Sequence, residues 1–137
     1  MNVVDSSGWL EYFSNASNAD FFAPAITDEP NLIVPTICMS EVFKRLSIQR
    51  GKEAGLQAMG ILYRGRLAAL NDEIALQAAL LSLEHQLPLA DSIILATARA
   101  HQATLWTQDE HFKNLPGVEY VEKKQSGSHP GGNPPAM

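Results

Sequence analysis

The sequence predicts an α/β sandwich, a mainly parallel sheet covered by helices on both sides. Three observations carry this. Short apolar runs at residues 2–4, 32–34, 104–107 and 118–121 alternate with longer stretches of helical periodicity, the pattern of an α/β chain. Hydrophobic residues make up 45% of the chain and charged residues only 18%, which suits a packed core and excludes a disordered or highly charged chain. The 137 residues fit one domain that buries roughly two thirds of its unfolded surface, leaving no room for a second.

The elements follow in order. Residues 2–4 form a first strand that stops at Asp5-Ser6-Ser7-Gly8, and Trp9, Leu10, Tyr12 and Phe13 then space a helix. After a polar break at residues 15–18, residues 20–26 form a short helical candidate interrupted by Pro24. Leu32-Ile33-Val34 is a second strand ended by Pro35, and Thr36 is placed to cap a long helix that runs through Arg50 and stops at Gly51. Its apolar positions are Ile37, Val42, Phe43, Leu46 and Ile48. Residues 52–64, with Leu56, Met59, Ile61, Leu62 and Tyr63, predict a helix antiparallel to it. Residues 66–70 form a weak strand, and Asn71 caps a helix over 72–86 whose Leu76, Leu80, Leu83 and Leu87 read as a core stripe. A small, apolar helix over 89–100 leads into the strand at 104–107, a short helix over 110–115 and a last strand at 118–121. We divide the chain into a folded domain over 1–122 and a disordered Gly/Pro-rich tail over 123–137.

Several classes are excluded. No apolar run is long enough to span a bilayer and the first residues lack a signal-peptide pattern, so a soluble, cytoplasmic protein without a membrane partner is expected. Cys38 is the single cysteine and sits among Ile37, Met39 and Val42, so it reads as a core residue rather than a nucleophile. His85, His101, His111 and His129 lack zinc-ligand spacing. The net charge of −5 argues weakly against nucleic acid, because acids gathered in one metal-binding cleft leave the remaining surface locally basic.

The acids carry the chemistry. Asp91 is the lone carboxylate on the buried helix 89–100, and burying it ionised without a partner costs several kcal/mol. It lies in the first turn, where the helix dipole favours an anion. Asp5 and Asp109 each follow a strand, at the carboxyl edge where ligands bind in open parallel sheets. Glu41 stands among apolar neighbours on the long helix. Plainer roles exist: Asp5 or Ser6 as a helix cap, Glu41 paired with Lys44 or Arg45 at helical spacing. If the four carboxylates converge, their repulsion demands cations or raised pKa values; hard divalent metals are the natural partner, and oxygen-only ligation points to Mg2+ or Mn2+. One or two such ions held by carboxylates are an apparatus for phosphodiester hydrolysis. No glycine-rich phosphate loop is present, so Ser6, Ser40 or Thr107 would help grip the phosphate.

Val4-Asp5-Ser6-Ser7, Ser40-Glu41-Val42, the segment from Leu89 to Ala98 and Thr107-Gln108-Asp109-Glu110-His111-Phe112, in that order, resemble the motifs of PIN-domain ribonucleases, nearest to the VapC-type toxins of bacterial toxin-antitoxin modules. The resemblance covers about residues 2–121. It implies a PIN-like sandwich and a Mg2+-dependent endoribonuclease, with Mn2+ as a substitute, that cuts structured RNA, often tRNA. It also implies inhibition by a cognate DNA-binding antitoxin of VapB type and a homodimer. Carried over by position, Asp5, Glu41, Asp91 and Asp109 become the catalytic, metal-binding acids, with Ser6 and Thr107 as supporting polar residues. The Gly/Pro-rich tail departs from the pattern. Lys44, Arg45, Arg50, Lys52, Arg64 and Arg66 concentrate basic charge in the middle third, and Lys44, Arg45 and Arg50 are the first candidates for RNA contact. Trp9 and Trp106 flank the site segments but are expected in the core. Two rivals stand beside this reading. A receiver or aspartate-nucleophile phosphatase wants a second acid next to Asp5, where Ser6 and Ser7 stand, and a non-enzymatic interaction module would use the acids as caps and surface charges.

Overall fold

A computed structural model describes residues 1–124; all but the first two residues of the tail expected over 123–137 lie outside them. The described chain is one domain with five parallel strands: β1 (Asn2–Val4), β2 (Leu32–Pro35), β3 (Arg66–Ala68), β4 (Thr104–Thr107) and β5 (Val118–Tyr120). Six α-helices flank the sheet: α1 (Ser6–Phe13), α2 (Ala19–Thr27), α3 (Thr36–Arg50), α4 (Lys52–Leu62), α5 (Asp72–His85) and α6 (Leu89–Ala100). Strand order is β3-β2-β1-β4-β5, all neighbours parallel. Successive residues of a strand face opposite sides, and Val3 and Val4 are both buried, as is the whole of β2, so helices cover both faces. This is the α/β/α sandwich the alternation predicts.

The chain winds outward from the centre in both directions, and the order reverses between β1 and β4. The carboxyl ends of these two central strands are therefore the switch point where ligands bind in doubly wound sheets. Their register, Val4 opposite Trp106, continues one step further: the Asp5 N–H donates to the Trp106 carbonyl at 3.1 Å. Asp5 and Thr107 are thereby set side by side.

Two glycines allow close packing. A Cβ on Gly8 would lie 2.6 Å from the Phe22 ring and 2.7 Å from Val4, so only glycine lets the start of α1 descend onto β1 and α2. At Gly55 it would lie 2.6 Å from the Ser47 hydroxyl and 3.0 Å from Phe43, so the antiparallel α3–α4 hairpin closes tightly there. Trp9 is fully buried and stacks on Phe13, while Trp106 is half-buried against Phe21 and donates its indole N–H to Asn2; both serve the core. Cys38 is buried too, and burial pushes its thiol well above the ordinary range.

Several expected details differ. The stripe Leu76, Leu80 and Leu83 is not core: these side chains are 68, 57 and 79% exposed, and of the expected set only Leu87 is buried. A parallel stripe on the same helix, Ile74, Ala78 and Leu81, faces inward instead. The inward stripe is the face of α5 that packs on α6, with small Ala78 at its middle. Ile48, Leu56 and Tyr63 are likewise exposed. Thr36 does not cap α3; β2 pairs as far as Pro35, and the helix starts at Thr36 with no side-chain cap. Pro24 does not interrupt α2, where it removes one backbone hydrogen bond on the exposed side while Phe22, Ala25 and Ile26 hold the other side in the core. The helix expected over 110–115 is a single 3-10 turn, Glu110–Phe112, which ends where the backbone turns extended at Lys113, before Pro116 and Gly117 are reached.

Candidate metal centre

A cleft of about 510 Å³ opens at the switch point, and Asp5, Glu41, Asp91 and Asp109 all line it, together with Ser6, Lys44 and Arg45. The four carboxylates arrive from four elements: the end of β1, the second turn of α3, the first turn of α6 and the turn after β4.

Asp5 is the most constrained. It is only 2% exposed, caps α1 by accepting from the Gly8 N–H at 2.9 Å, and also accepts from the hydroxyls of Ser7 at 2.8 Å and Thr107 at 2.6 Å. The capping reading and the cleft reading thus coexist in one side chain. Burial raises its carboxyl to about 6; hydrogen bonds from Thr107, Gly8 and Ser7 oppose the rise, and the charge of Asp109 adds to it. Thr107 is itself wholly buried, and its hydroxyl accepts from the Asp109 N–H at 2.9 Å, so one side chain ties the two acids together.

Asp91 is pushed up to about 7, by burial first, then by the charges of Asp109 and Asp5, with His111 lowering it in part. Glu41 accepts a hydrogen bond from the Ser6 hydroxyl, which fixes its carboxylate toward the cleft rather than toward Lys44 or Arg45. Asp109 caps the 3-10 turn by accepting from the His111 N–H at 3.0 Å.

The histidine spacing did not suggest a part for His111, yet its Nδ1 lies 2.8 Å from Asp109 and 3.5 Å from Asp91. Donor atoms of Asp91, Asp109 and His111 lie within 4.8 Å of one another, a geometry able to hold a cation. The available signal was the two-residue interval from Asp109, which a tight turn closes. Ser40 is exposed and does not line the cleft, and Thr107 is enclosed, so of the three hydroxyls expected to grip a phosphate only Ser6 stands in the cleft wall. Lys44 and Arg45 stand on the cleft wall, whereas Arg50 donates to the Phe13 carbonyl at 3.2 Å and lines a separate groove with Leu46, Ala58 and Ile61. Arg64 pairs with Glu29 at 3.7 Å on the surface.

The donor set suits a hard divalent cation. Four carboxylates line one cleft, and Asp5 and Asp91 are raised first by burial and then by the charges of their neighbouring acids, a setting in which a bound cation would favour the ionised forms. Asp5, Glu41, Asp91 and Asp109 could hold it, with His111 at the rim.

A doubly wound parallel sheet with an acidic cleft at its switch point defines an α/β protein whose candidate site lies at the carboxyl edge of the sheet. A family model described as PIN domain matches residues 3–118, and the chain belongs to the PIN-domain family. Solved structures agree on the fold. A toxin-antitoxin complex from Klebsiella pneumoniae aligns with a TM-score of 0.73 at 23% identity, covering 87% of this chain and 96% of that one. VapBC2 from Rickettsia felis bound to a promoter DNA fragment gives 0.68 at 16% identity over 88% and 97%. Mycobacterium tuberculosis VapC20, described as a sarcin-ricin loop cleaving toxin, gives 0.69 at 16% identity over 82% and 92%. A search of curated protein sequences finds no significant match.

Proposed function

We propose that the chain is a divalent-metal-dependent endoribonuclease, the toxin of a VapC-type toxin-antitoxin module, hydrolysing phosphodiester bonds of structured RNA with tRNA as the substrate class. The observation that carries this is the convergence of Asp5, Glu41, Asp91 and Asp109 on one cleft whose wall also bears Lys44 and Arg45. The similarity to toxin-antitoxin structures, one of them described as cleaving the sarcin-ricin loop, supports the toxin reading.

In this reading Asp5, Glu41, Asp91 and Asp109 hold Mg2+, or Mn2+ in its place. Such an ion, when bound, lowers the pKa of an attacking water and neutralises charge at the scissile phosphate. The protein's own residues supply position. Thr107, Ser7 and the Gly8 N–H hold Asp5, and Ser6 holds Glu41. Lys44 and Arg45 draw the RNA backbone to a cleft that is otherwise anionic.

Partners follow the same reading. The groove of about 240 Å³ formed by Phe13, Leu46, Ala58 and Ile61, with Arg50 on its edge, suits an apolar segment of a cognate VapB-type, DNA-binding antitoxin. The exposed stripe Leu76, Leu80 and Leu83 suits a second copy of the chain: it is apolar, and antiparallel pairing of two α5 helices would set Asp72 and Glu73 of one toward His85 of the other. No helix among the described residues is long and apolar enough to cross a membrane, which accords with a cytoplasmic enzyme.

The test is cleavage of tRNA and ribosomal RNA by purified protein with Mg2+ or Mn2+, its loss with a chelator, and its loss in Asp91→Asn. Unchanged cleavage by folded Asp91→Asn protein sinks the assignment. Manganese titration separates it from a non-enzymatic module, which would bind none in the cleft.

A further inference from the structure

A second, larger cavity of about 840 Å³ adjoins the carboxylate cleft, and the two share Ser7 and Asp109 as a common wall. Its construction differs from that of the cleft. Its floor is rigid: Gln108, 4% exposed, donates to Glu11 at 3.0 Å and accepts from Asn18 at 2.9 Å. Asn18, equally buried, also donates to the Glu122 carbonyl at 3.1 Å, and its own N–H donates to the second Glu11 oxygen at 2.8 Å. The loop after α1, the end of β4 and the segment after β5 are thus bolted together beneath the cavity. Both oxygens of Glu11 and the Gln108 amide are engaged in this network, which fixes the shape of the floor.

The walls are what a base would meet. Half-buried Tyr120 lines the cavity, with the Lys113 ammonium 5.8 Å from its ring centroid, and exposed Glu110 and Glu122 stand at the mouth beside Lys123. Lys123, Lys124 and His111 also line the cavity, so its charge is mixed, and its hydrogen-bond acceptors are the acids Glu110 and Glu122. They accept hydrogen bonds from exocyclic amino groups, as carboxylates do from cytosine N4. The volume lies within the range of small-molecule sites and holds one nucleotide.

Resting on the nuclease reading above, we propose that this cavity is a base subsite: it takes the unpaired, amino-bearing base of a nucleotide flanking the scissile phosphate. Tyr120 supplies the stacking wall and Glu110 and Glu122 the acceptors. A phosphate in the carboxylate cleft leaves its neighbouring base at the shared wall of Ser7 and Asp109, and a single-stranded loop can swing that base out of its stack, which a base inside an A-form helix cannot do. The subsite therefore selects adenine, cytosine or guanine over uracil next to the cut, and a loop over a duplex.

The experiment uses the full chain. Binding of single-stranded heptanucleotides, all-uridine or with one central adenine, is measured by fluorescence anisotropy in the Asp5→Asn background. Cut sites in a long unstructured RNA are mapped with the otherwise wild-type enzyme. The adenine oligonucleotide binds more tightly than the uridine one, Tyr120→Ala weakens it about tenfold, Tyr120→Phe restores it, and Glu122→Gln narrows the difference between the two. Cut sites flanked by amino-bearing bases lose their preference in Tyr120→Ala. Equal binding of the two oligonucleotides together with a cut pattern unchanged by Tyr120→Ala and Glu122→Gln overturns the subsite while leaving the nuclease reading intact. An enzyme that neither binds nor cuts RNA overturns both.

Discussion

Replacing Asp91 by Asn in metal-free buffer stabilises the protein, and the effect depends on pH in a defined direction. The folded state raises this carboxyl from 3.8 to about 7, so the folded protein holds a proton that the unfolded chain gives up. Below about pH 3 the group is protonated in both states and contributes nothing. As pH rises from there to 7 the unfolded chain ionises freely while the folded one resists, and the penalty grows; above 7 it is complete. At about 1.4 kcal/mol per pH unit, the full shift corresponds to roughly 4 kcal/mol. The side chain is 20% exposed at the lip of the cleft, and solvent screening brings the expected gain to about 2 kcal/mol. That raises Tm by roughly 5 to 8 °C at pH 8 and by far less at pH 4. Saturating Mg2+ reverses the order, because the ion stabilises the wild type by mass action and the variant less. Thermal melts of both proteins at pH 4, 6 and 8, with chelator and with Mg2+, decide the matter. A drop in Tm of several degrees for Asp91→Asn at pH 8 without metal would refute the reasoning and make the Asp91–His111 contact a structural ion pair.

Three further outcomes are expected. Thr107→Val keeps the shape but removes the hydroxyl that donates to Asp5 and accepts from the Asp109 N–H, so stability falls by about 1 to 3 kcal/mol in urea titration and Mn2+ affinity, read by calorimetry, falls about tenfold or more; affinity equal to wild type would detach Thr107 from the centre. Lys44→Ala with Arg45→Ala weakens RNA binding evenly across sequences and lowers the slope of log affinity against log salt by about 2, without moving Tm. Leu80→Glu puts a charge in the middle of the exposed α5 stripe and, on the proposed homodimer, lowers the sedimentation coefficient from that of a dimer to that of a monomer; a wild type that sediments as a monomer, or a coefficient unchanged by the substitution, would remove α5 as an interface.

The order of elements could be read from the sequence because strand-length apolar runs and helix-length periodic stretches are local signals. The acids of the cleft were legible for a different reason. Asp5 and Asp109 each follow a strand, and parallel strands bring their carboxyl ends to one edge whatever the pairing order. Asp91 was legible because an acid on an otherwise apolar helix is costly to bury. What escaped depends on which surfaces meet. The helix α5 carries two apolar stripes of equal spacing, and which of them goes inward, Ile74, Ala78 and Leu81, is settled by its tertiary packing on α6 rather than by any local pattern. The bond between Asn18 and Gln108 joins residues 90 positions apart, and no local pattern announces it. His111 reaches the acids through the 3-10 turn, which a reading in terms of zinc spacing had no reason to consider. Arg50 belonged to the same basic cluster in sequence as Lys44 and Arg45, but it sits more than a helical turn beyond them and faces another groove.

The hydrogen bonds of the cleft show where the fold spends its stabilising interactions. Asp5 receives three donors, enough in an open setting to pull a carboxylate well below its usual range, yet burial still leaves it raised to about 6. The donors therefore do not neutralise the charge; they fix its position. Thr107 does this for Asp5 and Ser6 for Glu41, hydroxyls that have no net charge to offer, while Thr107 holds only the Asp109 backbone N–H and the Asp109 carboxylate meets the His111 N–H and ring. A structural role would call for the opposite arrangement, with Lys44 or Arg45 folded onto Glu41 and a cation beside Asp5. Both cations stand instead on the cleft wall, among the acids but without an ion pair to any of them within 4.0 Å among the described residues. Geometry supplied largely by neutral donors, with His111 beside Asp91 and Asp109 and no lysine or arginine paired to the cleft acids among the described residues, fits the proposed reading in which a divalent ion brings the positive charge.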